Sequence, residues 1–523
     1  MKQIFIAIAF LIFGVGYGLS QKYDYNFLER TSAIGSAVFI RYNDTINDIS
    51  INVIPWEGTV FGSPALSNKE GEFLGYFNSR NLYDSIGRVA IDGDSMAVGF
   101  FQNYLFQFLP EHEGLGNNQN CAFIPINDSL YYLIYKSAEL WAGAPNFAIH
   151  FTEKGKNLTS YSDGLYLTKV RLNKDNRLYI LPEEKHILLV DELFQMRNLM
   201  LCKHANGRDW WLIVPKALDS LASRLLIKAN GDIEYLQDIE FSNNYWRVRS
   251  VAPYDFSPDG NYLVRFIHRA NTIFKDIIEL FHFDRCEGTV ELLKMDSLLL
   301  PSYFSSGADI VFSSNSRFLY VAMGSIILQY DMQDEVKLEL RDTIAVWDGM
   351  MYYSYHPIFN WLWRLPNGKI LVAGFEFTPF LHYIEAPDQK GEACHFIQRA
   401  IELPTDPLNE PYGTYIGGLP HFIPFRMDPL ETPCGTASTG PTDQIPLNII
   451  PNPAVDIFSI TCPALINQVE IYNINGQKID AVHIQNIQDH YEFSLTGWTP
   501  GIYVVICRDK NGDIIGAKKL VKI

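Results

Sequence analysis

The residues best suited to binding chemistry lie in one short segment, residues 204–211. This segment combines a titratable ring, two opposite charges and flat aromatic faces. A guanidinium offers a planar fork of donors and an indole offers a flat apolar face, so the segment predicts a binding site for a sugar or a peptide. The candidate ligand-binding residues are His204, Arg208, Asp209 and Trp210.

A structural interpretation of the same segment is favoured. Asn206-Gly207 is typical of a turn, and Arg208 and Asp209 carry opposite charges suited to pairing. Alternating strands normally bury one aromatic face, so the two tryptophans are expected to pack between sheets.

Catalytic constellations are not recognisable in the sequence. Catalysis usually needs a nucleophile with a base, paired carboxylates or a metal cluster. We find no GxSxG, HExxH, phosphate-loop or dinucleotide fingerprint, and the 12 histidines contain no i, i+4 pair. Asp92-Gly93-Asp94 and residues 509–513 have calcium-like acid spacing but lack the terminal Glu of an EF-hand loop, which favours turns. We therefore predict no catalytic residue, no metal ligand and no cofactor.

The seven cysteines are widely spaced, and no two form a CxxC pair. This spacing argues against a zinc site. Arg285 is suited to lowering the pKa of Cys286 and making a reactive thiol, but a buried or disulfide-bonded cysteine is favoured because no partner base is evident. The odd number leaves at least one thiol unpaired, and the sequence leaves the connectivity open.

Short strands separated by tight turns would position these residues. Turns of one type occupy residues 205–208, 256–260, 312–316 and 365–368, each followed by an apolar strand. Their spacing is about 50 residues, which is typical of a four-stranded propeller blade. Three residues are expected in equivalent turns of successive blades: Pro258, Ser314 and Pro366.

The turns are less regular towards the N-terminus. Residues 126–129 and 173–176 are interpreted as turns of one blade with an elongated outer hairpin, and Asp92-Gly93-Asp94 as the mark of the first blade. Residues 215–226 are the clearest candidate for a short helix. Seven blades are predicted, with six or eight left open, and a stack of β-sandwiches is the alternative architecture.

Length and composition indicate a multidomain all-β protein. The chain has 523 residues, 47% of them hydrophobic, and a net charge of −17, which argues against nucleic acid as a partner. Residues 1–20 read as a signal peptide cleaved before Gln21, with a buried N-terminal strand or helix as the alternative. No later segment has the run of about 18 apolar residues that a membrane-spanning helix needs, so the mature chain is predicted to have no transmembrane segment. We predict a body over residues 21–430, a linker over 431–446 and a C-terminal module over 447–523.

Four ordered features mark the C-terminal module. They are the opening Pro451-Asn452-Pro453-Ala454, the Asn475-Gly476 hairpin, the strand Gly501-Ile502-Tyr503 and the basic end at residues 518–523. The module resembles the type A sorting domain of the type IX (Por) secretion system, although Ile450 stands where a tyrosine is common. The resemblance implies a small Ig-like sandwich recognised by the outer-membrane translocon, and an ordinary fibronectin-like module is the alternative. The residues assigned to the sorting signal are Pro451, Asn452, Pro453, Gly476, Gly501, Tyr503, Lys518 and Lys519.

The body carries a broader resemblance. Its turns resemble those of WD40-like and TolB-like propellers, and residues 202–211 and 283–288 resemble motifs of uncharacterised exported propeller-like proteins of the Bacteroidota. We therefore predict a secreted or cell-surface β-propeller that serves as a non-enzymatic platform for an extracellular glycan or protein ligand. The alternative is a secreted hydrolase or lyase that uses the central channel.

Overall fold

The computed structural model divides the chain into two compact units, Met1–Cys434 and Gly435–Ile523. Within the described residues there is no α-helix, and short 3₁₀ turns occur at Pro182–Glu184 and Gly391–Cys394. The residues that the structure describes are 22–30, 37–54, 64–96, 121–136, 162, 164–194, 199–216, 220–241, 253–267, 275–299, 309–333, 338, 341–353, 355–374, 378–404, 416, 419, 423–430, 434, 448–461, 466–473, 477–484, 491–508 and 514–523.

The first unit begins with three antiparallel sheets of unequal size. The first consists of β1 (Asn26–Arg30), β2 (Ala37–Asn43) and β3 (Asp48–Ile54). The second consists of β4 (Ala65–Ser67), β5 (Phe73–Phe77) and β6 (Leu82–Asp84). The third consists of β7 (Cys121–Asn127), β8 (Leu130–Lys136), β9 (Leu165–Leu172), β10 (Leu178–Tyr179) and β11 (Ile187–Val190).

Four regular four-stranded meanders follow, each with its strands in sequence order. The fourth sheet consists of β12 (Met200–Lys203), β13 (Trp210–Pro215), β14 (Leu221–Ile227) and β15 (Ile233–Glu240). The fifth consists of β16 (Tyr254–Phe256), β17 (Tyr262–Ile267), β18 (Lys275–Asp284) and β19 (Thr289–Leu299). The sixth consists of β20 (Asp309–Phe312), β21 (Phe318–Met323), β22 (Ile326–Asp331) and β23 (Arg341–Val346). The seventh consists of β24 (Trp361–Arg364), β25 (Ile370–Ala373), β26 (Phe380–Ile384) and β27 (Phe396–Glu402).

Apolar contacts between neighbouring sheets join these sheets in series. Trp211 of the fourth sheet shares a core with Phe256 of the fifth, and Val264 of the fifth shares another with Phe312 of the sixth. The seventh sheet packs on the first, because Trp363 and Phe27 lie in one core with ring centroids 5.7 Å apart. Sequential meanders, with the last sheet packed on the first, form the radial arrangement of a β-propeller-like body.

The prediction of equivalent turns is confirmed. Pro258, Ser314 and Pro366 lie in the connections β16–β17, β20–β21 and β24–β25, each of which joins the first and second strands of its sheet. The same chemistry closes each turn, since the side-chain oxygens of Asp259, Asn315 and Asn367 accept the backbone N–H two residues later at 3.0 to 3.1 Å. Positive φ angles follow at Gly260, Ser316 and Gly368.

Two local predictions were wrong. Residues 215–226 were expected to form a short helix, but their described residues belong to β13 and β14, because the apolar run at this position is buried between sheets. Asp92 does not mark the first sheet, since two sheets precede it.

Other predictions for the body stand differently. The turns at residues 126–129 and 173–176 do lie in one sheet. The count of seven complete blades stays a prediction, because the first two sheets have three described strands each. The predicted signal peptide lies outside the described residues.

The second unit contains two antiparallel sheets. One is formed by β28 (Asn448–Ile450), β29 (Ile457–Thr461) and β32 (Tyr491–Ser494). The other is formed by β30 (Gln468–Asn473), β31 (Lys478–His483), β33 (Gly501–Arg508) and β34 (Ile514–Lys522). Phe458 and Phe493 of the first sheet share one buried core with Val469 and Val505 of the second, so the sheets pack as a sandwich. Its Ig-like topology stays a prediction.

Candidate functional site

A cavity of 260 Å³ lies where the equivalent turns of three consecutive sheets meet. Pro258, Ser314 and Pro366 all line it, so the repeated turns predicted from the sequence converge on one place. Residues 423–427, from the end of the first unit, form another wall. We call this space the turn cavity, and residues 423–430 the strap.

Arg364 ends β24 at the wall of the turn cavity. Its Nη1 donates to the backbone oxygen of Phe312 at 2.6 Å and lies 3.5 Å from Oδ2 of Asp255. Within the part of the chain that the structure describes, Nε and Nη2 of Arg364 donate to no protein group, and neither is a buried unsatisfied atom. The side chain keeps 20% of its exposure, so two parallel N–H donors face solvent beside the cavity.

Asp255 of β16 lies opposite Arg364 and is almost completely buried. Its Oδ2 accepts the backbone N–H of Phe312 at 2.8 Å. Burial raises the pKa of Asp255 to about 6, although the charge of Arg364 and the Phe312 N–H act in the opposite direction. The Asp255 carboxyl therefore takes up a proton at a higher pH than an ordinary aspartate does.

Arg426 of the strap is the second cation of the cavity, and it is already paired. Its Nε and Nη2 donate to the two oxygens of Asp24 at 2.9 and 2.7 Å in a bidentate bridge. Burial lowers the pKa of Arg426, but the hydrogen bond and the charge of Asp24 together outweigh burial and raise the pKa above its ordinary value. The guanidinium therefore stays charged. This pair neutralises itself and leaves Arg364 as the cation with donors to offer.

Several bonds anchor the strap to the fourth and fifth sheets. Arg285 Nη2 donates to the backbone oxygen of Asp428 at 2.6 Å, and the Leu430 N–H donates to the oxygen of Ala205 at 2.8 Å. A disulfide then joins Cys286 to Cys434. The disulfide interpretation of Cys286 is confirmed, the reactive-thiol interpretation was wrong, and Cys434 of the predicted linker is bonded to the body.

The candidate cluster at residues 204–211 forms one of the same turns, next to the strap. Asn206 Oδ1 accepts the N–H groups of Arg208 and Asp209, and Asp209 Oδ1 accepts the Ala229 N–H at 2.8 Å. His204 Nδ1 accepts the Asn206 N–H at 3.1 Å.

The aromatic residue of this cluster is covered. Trp210 is only 3% exposed, and Phe425 of the strap packs edge-on against its ring at 5.7 Å. The side chain of Arg208 is exposed. The structure thus brings these four residues together around a turn, with structural bonds on His204 and Asp209, and ligand binding by this cluster stays a prediction.

The sorting residues of the second unit meet at its last strand. The side chain of Asn452 donates from Nδ2 to the Lys519 oxygen at 2.7 Å and accepts the Val521 N–H at 2.8 Å, as a neighbouring strand would. Ala454 extends this pairing through its own N–H and oxygen. The two ends of the motif, Pro451 to Ala454 and the basic strand β34, are therefore adjacent in space.

The remaining sorting residues have distinct positions. Tyr503 is buried in the core, and its hydroxyl donates to the Thr499 oxygen at 2.7 Å. Gly501 begins β33, and Lys518 and Lys519 are exposed on β34. Gly476 lies outside the described residues.

Sequence reasoning missed the charged residues of the turn cavity. Asp24, Asp255, Arg364 and Arg426 come from four distant segments, and none belongs to a recognisable motif. A usable signal existed for two of them: Arg364 directly precedes the 365–368 turn, and Asp255 directly precedes the 256–260 turn. Each is the charged residue of an otherwise apolar first strand of its sheet.

Comparisons with known proteins add one specific match. Residues 448–523 match the family model described as the secretion system C-terminal sorting domain. A search of curated proteins finds no match. In the described residues no group of three His, Cys, Asp or Glu side chains is arranged to hold a metal, and no helix has the length and hydropathy of a membrane span.

Solved structures resemble the chain only distantly. A candidate 6-phosphogluconolactonase from Bacteroides uniformis is 13% identical, with a TM-score of 0.40 over 72% of this chain and 96% of that one. The periplasmic gluconolactonase PpgL of Pseudomonas aeruginosa is 10% identical, with a TM-score of 0.31 over 95% and 96%. PorZ, a surface component of the type IX secretion system of Porphyromonas gingivalis, is 11% identical, with a TM-score of 0.26 over 95% and 70%.

Proposed function

Residues 448–523 carry the C-terminal sorting domain that sends a chain through the type IX (Por) secretion system to the cell surface or the medium, and we propose that the exported body is a non-enzymatic ligand-binding protein. The site of binding is the turn cavity. The observation that carries this proposal is the pair of unused donors on Arg364 at the wall of a cavity built by three repeated turns. A cavity of mixed apolar and polar lining with a few convergent polar groups is the usual form of a small-molecule site.

Binding is supported over catalysis by the state of the two cavity carboxylates. Asp24 accepts both donors of Arg426, and Asp255 accepts the Phe312 N–H. Each carboxylate is therefore committed to holding the protein together, whereas a general base needs an oxygen directed at its substrate. Among the described lining residues, Arg364 keeps two donors for a ligand, and a guanidinium binds and orients rather than transferring protons.

A ligand screen with the mature full-length chain tests this function. Thermal shift measurements against libraries of glycans, peptides and small organic acids should find a ligand that raises the unfolding midpoint, because a ligand of the folded state stabilises it. The Ser314→Trp variant places a large ring at the cavity wall and should abolish the shift. Lys174→Trp, in an exposed turn outside the cavity, is the matched control and should keep it.

Two results would contradict the proposal. One is a ligand that binds Ser314→Trp as tightly as the unaltered chain, since the turn cavity would then not be its site. The other is turnover of a library compound by the purified chain, which would favour a secreted hydrolase or lyase.

The sorting domain defines one partner of the protein, the type IX secretion translocon. We place the recognised surface at the junction of Asn452 and β34, where Lys518 and Lys519 are exposed. Support comes from the pairing of Asn452 with the last strand, which presents the opening motif and the basic end as one surface.

A further inference from the structure

The donors of Arg364 have a specific geometry. In a guanidinium, Nε–H and Nη2–H point in the same direction and form a two-pronged fork, while Nη1 lies on the other edge. In this structure Nη1 donates to the Phe312 oxygen at 2.6 Å, and this bond fixes the orientation of the guanidinium. The Nε and Nη2 edge is not used by that bond. The fork edge stays without a protein partner among the described residues.

The charges around this fork favour an anion. The lining contains two arginines and two aspartates, but Arg426 and Asp24 neutralise each other through two hydrogen bonds. Asp255 lies 3.5 Å from Arg364 and is buried, which disfavours its charged form. Asp255 contacts only the Nη1 edge of Arg364, and among the described residues no carboxylate hydrogen-bonds to the fork edge.

The number of donors and the volume restrict the kind of anion. Two parallel N–H groups match the two oxygens of a carboxylate or of a phosphate, and a carboxylate carries the single charge that this one cation balances, since Arg426 is paired with Asp24. Trp363, Leu362 and Phe425 line the same space and would face an apolar part of a ligand. The cavity of 260 Å³ is slightly smaller than typical drug-sized sites of about 300–1,000 Å³.

From these observations we propose that the turn cavity binds a small organic carboxylate, whose two oxygens accept the Nε and Nη2 hydrogens of Arg364 while its compact apolar remainder packs on Trp363 and Phe425. This inference rests on the proposed function and specifies the chemical class of its ligand. Arg364 is the residue that determines specificity for the acid, because its loss leaves the apolar walls in place.

Calorimetric titration of the mature full-length chain tests the inference with acids and their neutral amides. The probes are benzoate, phenylacetate and 3-methylbutanoate, each paired with its amide, together with inorganic phosphate. At least one acid should bind, and its amide should bind about tenfold more weakly or worse, because a charge-assisted hydrogen bond contributes more than a neutral one. This comparison needs no altered protein.

A conservative variant then assigns the effect to the fork. Arg364→Lys keeps the charge but removes the parallel donors, and it should weaken binding of the acid by about tenfold or more. The matched control is Arg317→Lys, at an arginine that forms a bidentate pair with Asp331 away from the cavity. It should leave binding unchanged, and a single cooperative unfolding transition of Arg364→Lys verifies that this variant is folded.

The outcomes separate this inference from the function on which it rests. Failure of all three acids to bind, equal binding of an acid and its amide, binding of phosphate alone, or full affinity in Arg364→Lys would each overturn the carboxylate assignment. If a neutral ligand binds instead and Ser314→Trp abolishes that binding, the turn cavity remains the site while the carboxylate class is wrong. If no ligand depends on the cavity, both fail.

Discussion

At the scale of single residues, the backbone of Phe312 is hydrogen-bonded on both sides. Asp255 of the fifth sheet accepts its N–H, and Arg364 of the seventh sheet donates to its oxygen. One backbone unit of the sixth sheet thus joins both of its neighbours, and the same two side chains form the polar wall of the turn cavity. The residues of the proposed binding site therefore also join neighbouring sheets.

The buried carboxyl of Asp255 makes a pH-dependent contribution to stability. Because its pKa is raised from 3.8 to about 6 on folding, the folded state binds a proton more tightly than the unfolded state. Its contribution is therefore most favourable below about pH 4 and is lost as the pH rises through about 6. Asp255→Asn removes this titration, so the unfolding midpoint of the variant minus that of the unaltered chain should be larger at pH 8 than at pH 5.

Thermal unfolding of both proteins across this pH range measures the difference. The matched control is Asp175→Asn, at an exposed aspartate in the turn before β10. A difference for Asp255→Asn that stays constant between pH 5 and pH 8 would show that the Asp255 carboxyl does not titrate in this window.

At the scale of elements, the strap forms one wall of the turn cavity, and a disulfide at Cys434, four positions after the strap, ties the chain to the body. Arg285 and the Ala205 oxygen position it by hydrogen bonds, and Gly207 allows close approach, since a Cβ there would lie 2.9 Å from the backbone nitrogen of Pro429. The turn at residues 205–208, which belongs to the candidate binding segment of the sequence, thus packs against the strap.

Removal of the Cys286–Cys434 disulfide should destabilise the body. The two cysteines are 148 residues apart, and loss of such a native crosslink typically lowers the free energy of unfolding by about 2–5 kcal/mol. Denaturant unfolding of Cys434→Ser measures this loss. Cys286→Ser and the double variant should match it, and a reducing agent should lower the stability of the unaltered chain alone. Equal stability of Cys434→Ser and the unaltered chain would contradict the structural role.

The sorting module depends on Asn452 in a comparable way. Its side chain bonds to the backbone of β34 as a neighbouring strand would, because Nδ2 donates to the Lys519 oxygen and Oδ1 accepts the Val521 N–H. Asn452→Ala removes both bonds and should reduce the amount of protein that reaches the cell surface or medium. Immunoblotting of cell fractions from a host with this secretion system measures the effect, with the exposed Asn467→Ala as control. Normal export of Asn452→Ala would show that this docking is dispensable.

At the scale of the whole molecule, the chain consists of an all-β body and a C-terminal sandwich that carries the sorting domain. The two units meet in the sequence at Cys434 and Gly435, just beyond the residue that the disulfide ties to the body. Each unit has its own buried core, so we expect the second unit to fold without the body.

Deletion of residues 448–523 should leave the body in the periplasm. The sorting domain is what the translocon recognises, and the body retains its sheets, its strap and its disulfide without it. Fractionation with an antibody to the body measures its location, and a folded, disulfide-bonded product in the periplasm is the expected result. Export of the truncated chain at normal levels would contradict the assignment.

The mature chain should begin at Gln21. The charge at Lys2, the apolar run over residues 4–13 and the small residues Gly18 and Ser20 occur in the order of a cleavable signal. N-terminal sequencing of exported protein checks the position, and retention of residues 1–20 would exclude cleavage there.

The sequence by itself determined those features that depend on local chemistry. Pro258, Asp259 and Gly260 specify their turn through a preset φ, a side-chain acceptor and a tolerated positive φ, all within a few residues. The period of the turns therefore indicated repeated sheets, and the motifs around Asn452 and Tyr503 identified the sorting module. The expected helix over 215–226 failed because burial between sheets, which local pattern does not contain, overrides propensity.

Only the tertiary structure decided which side chains meet at the turn cavity. Arg426 and Asp24 are 402 positions apart, and Arg364 and Asp255 are 109 apart, yet each pair is in contact. The sequence left the partner of Cys286 open, and the structure shows that this partner is Cys434. These contacts follow from the packing of neighbouring sheets on one another and of the C-terminal part of the first unit on those sheets. Both are long-range events that bring distant segments together, and no local run of residues encodes which side chains will face one another there.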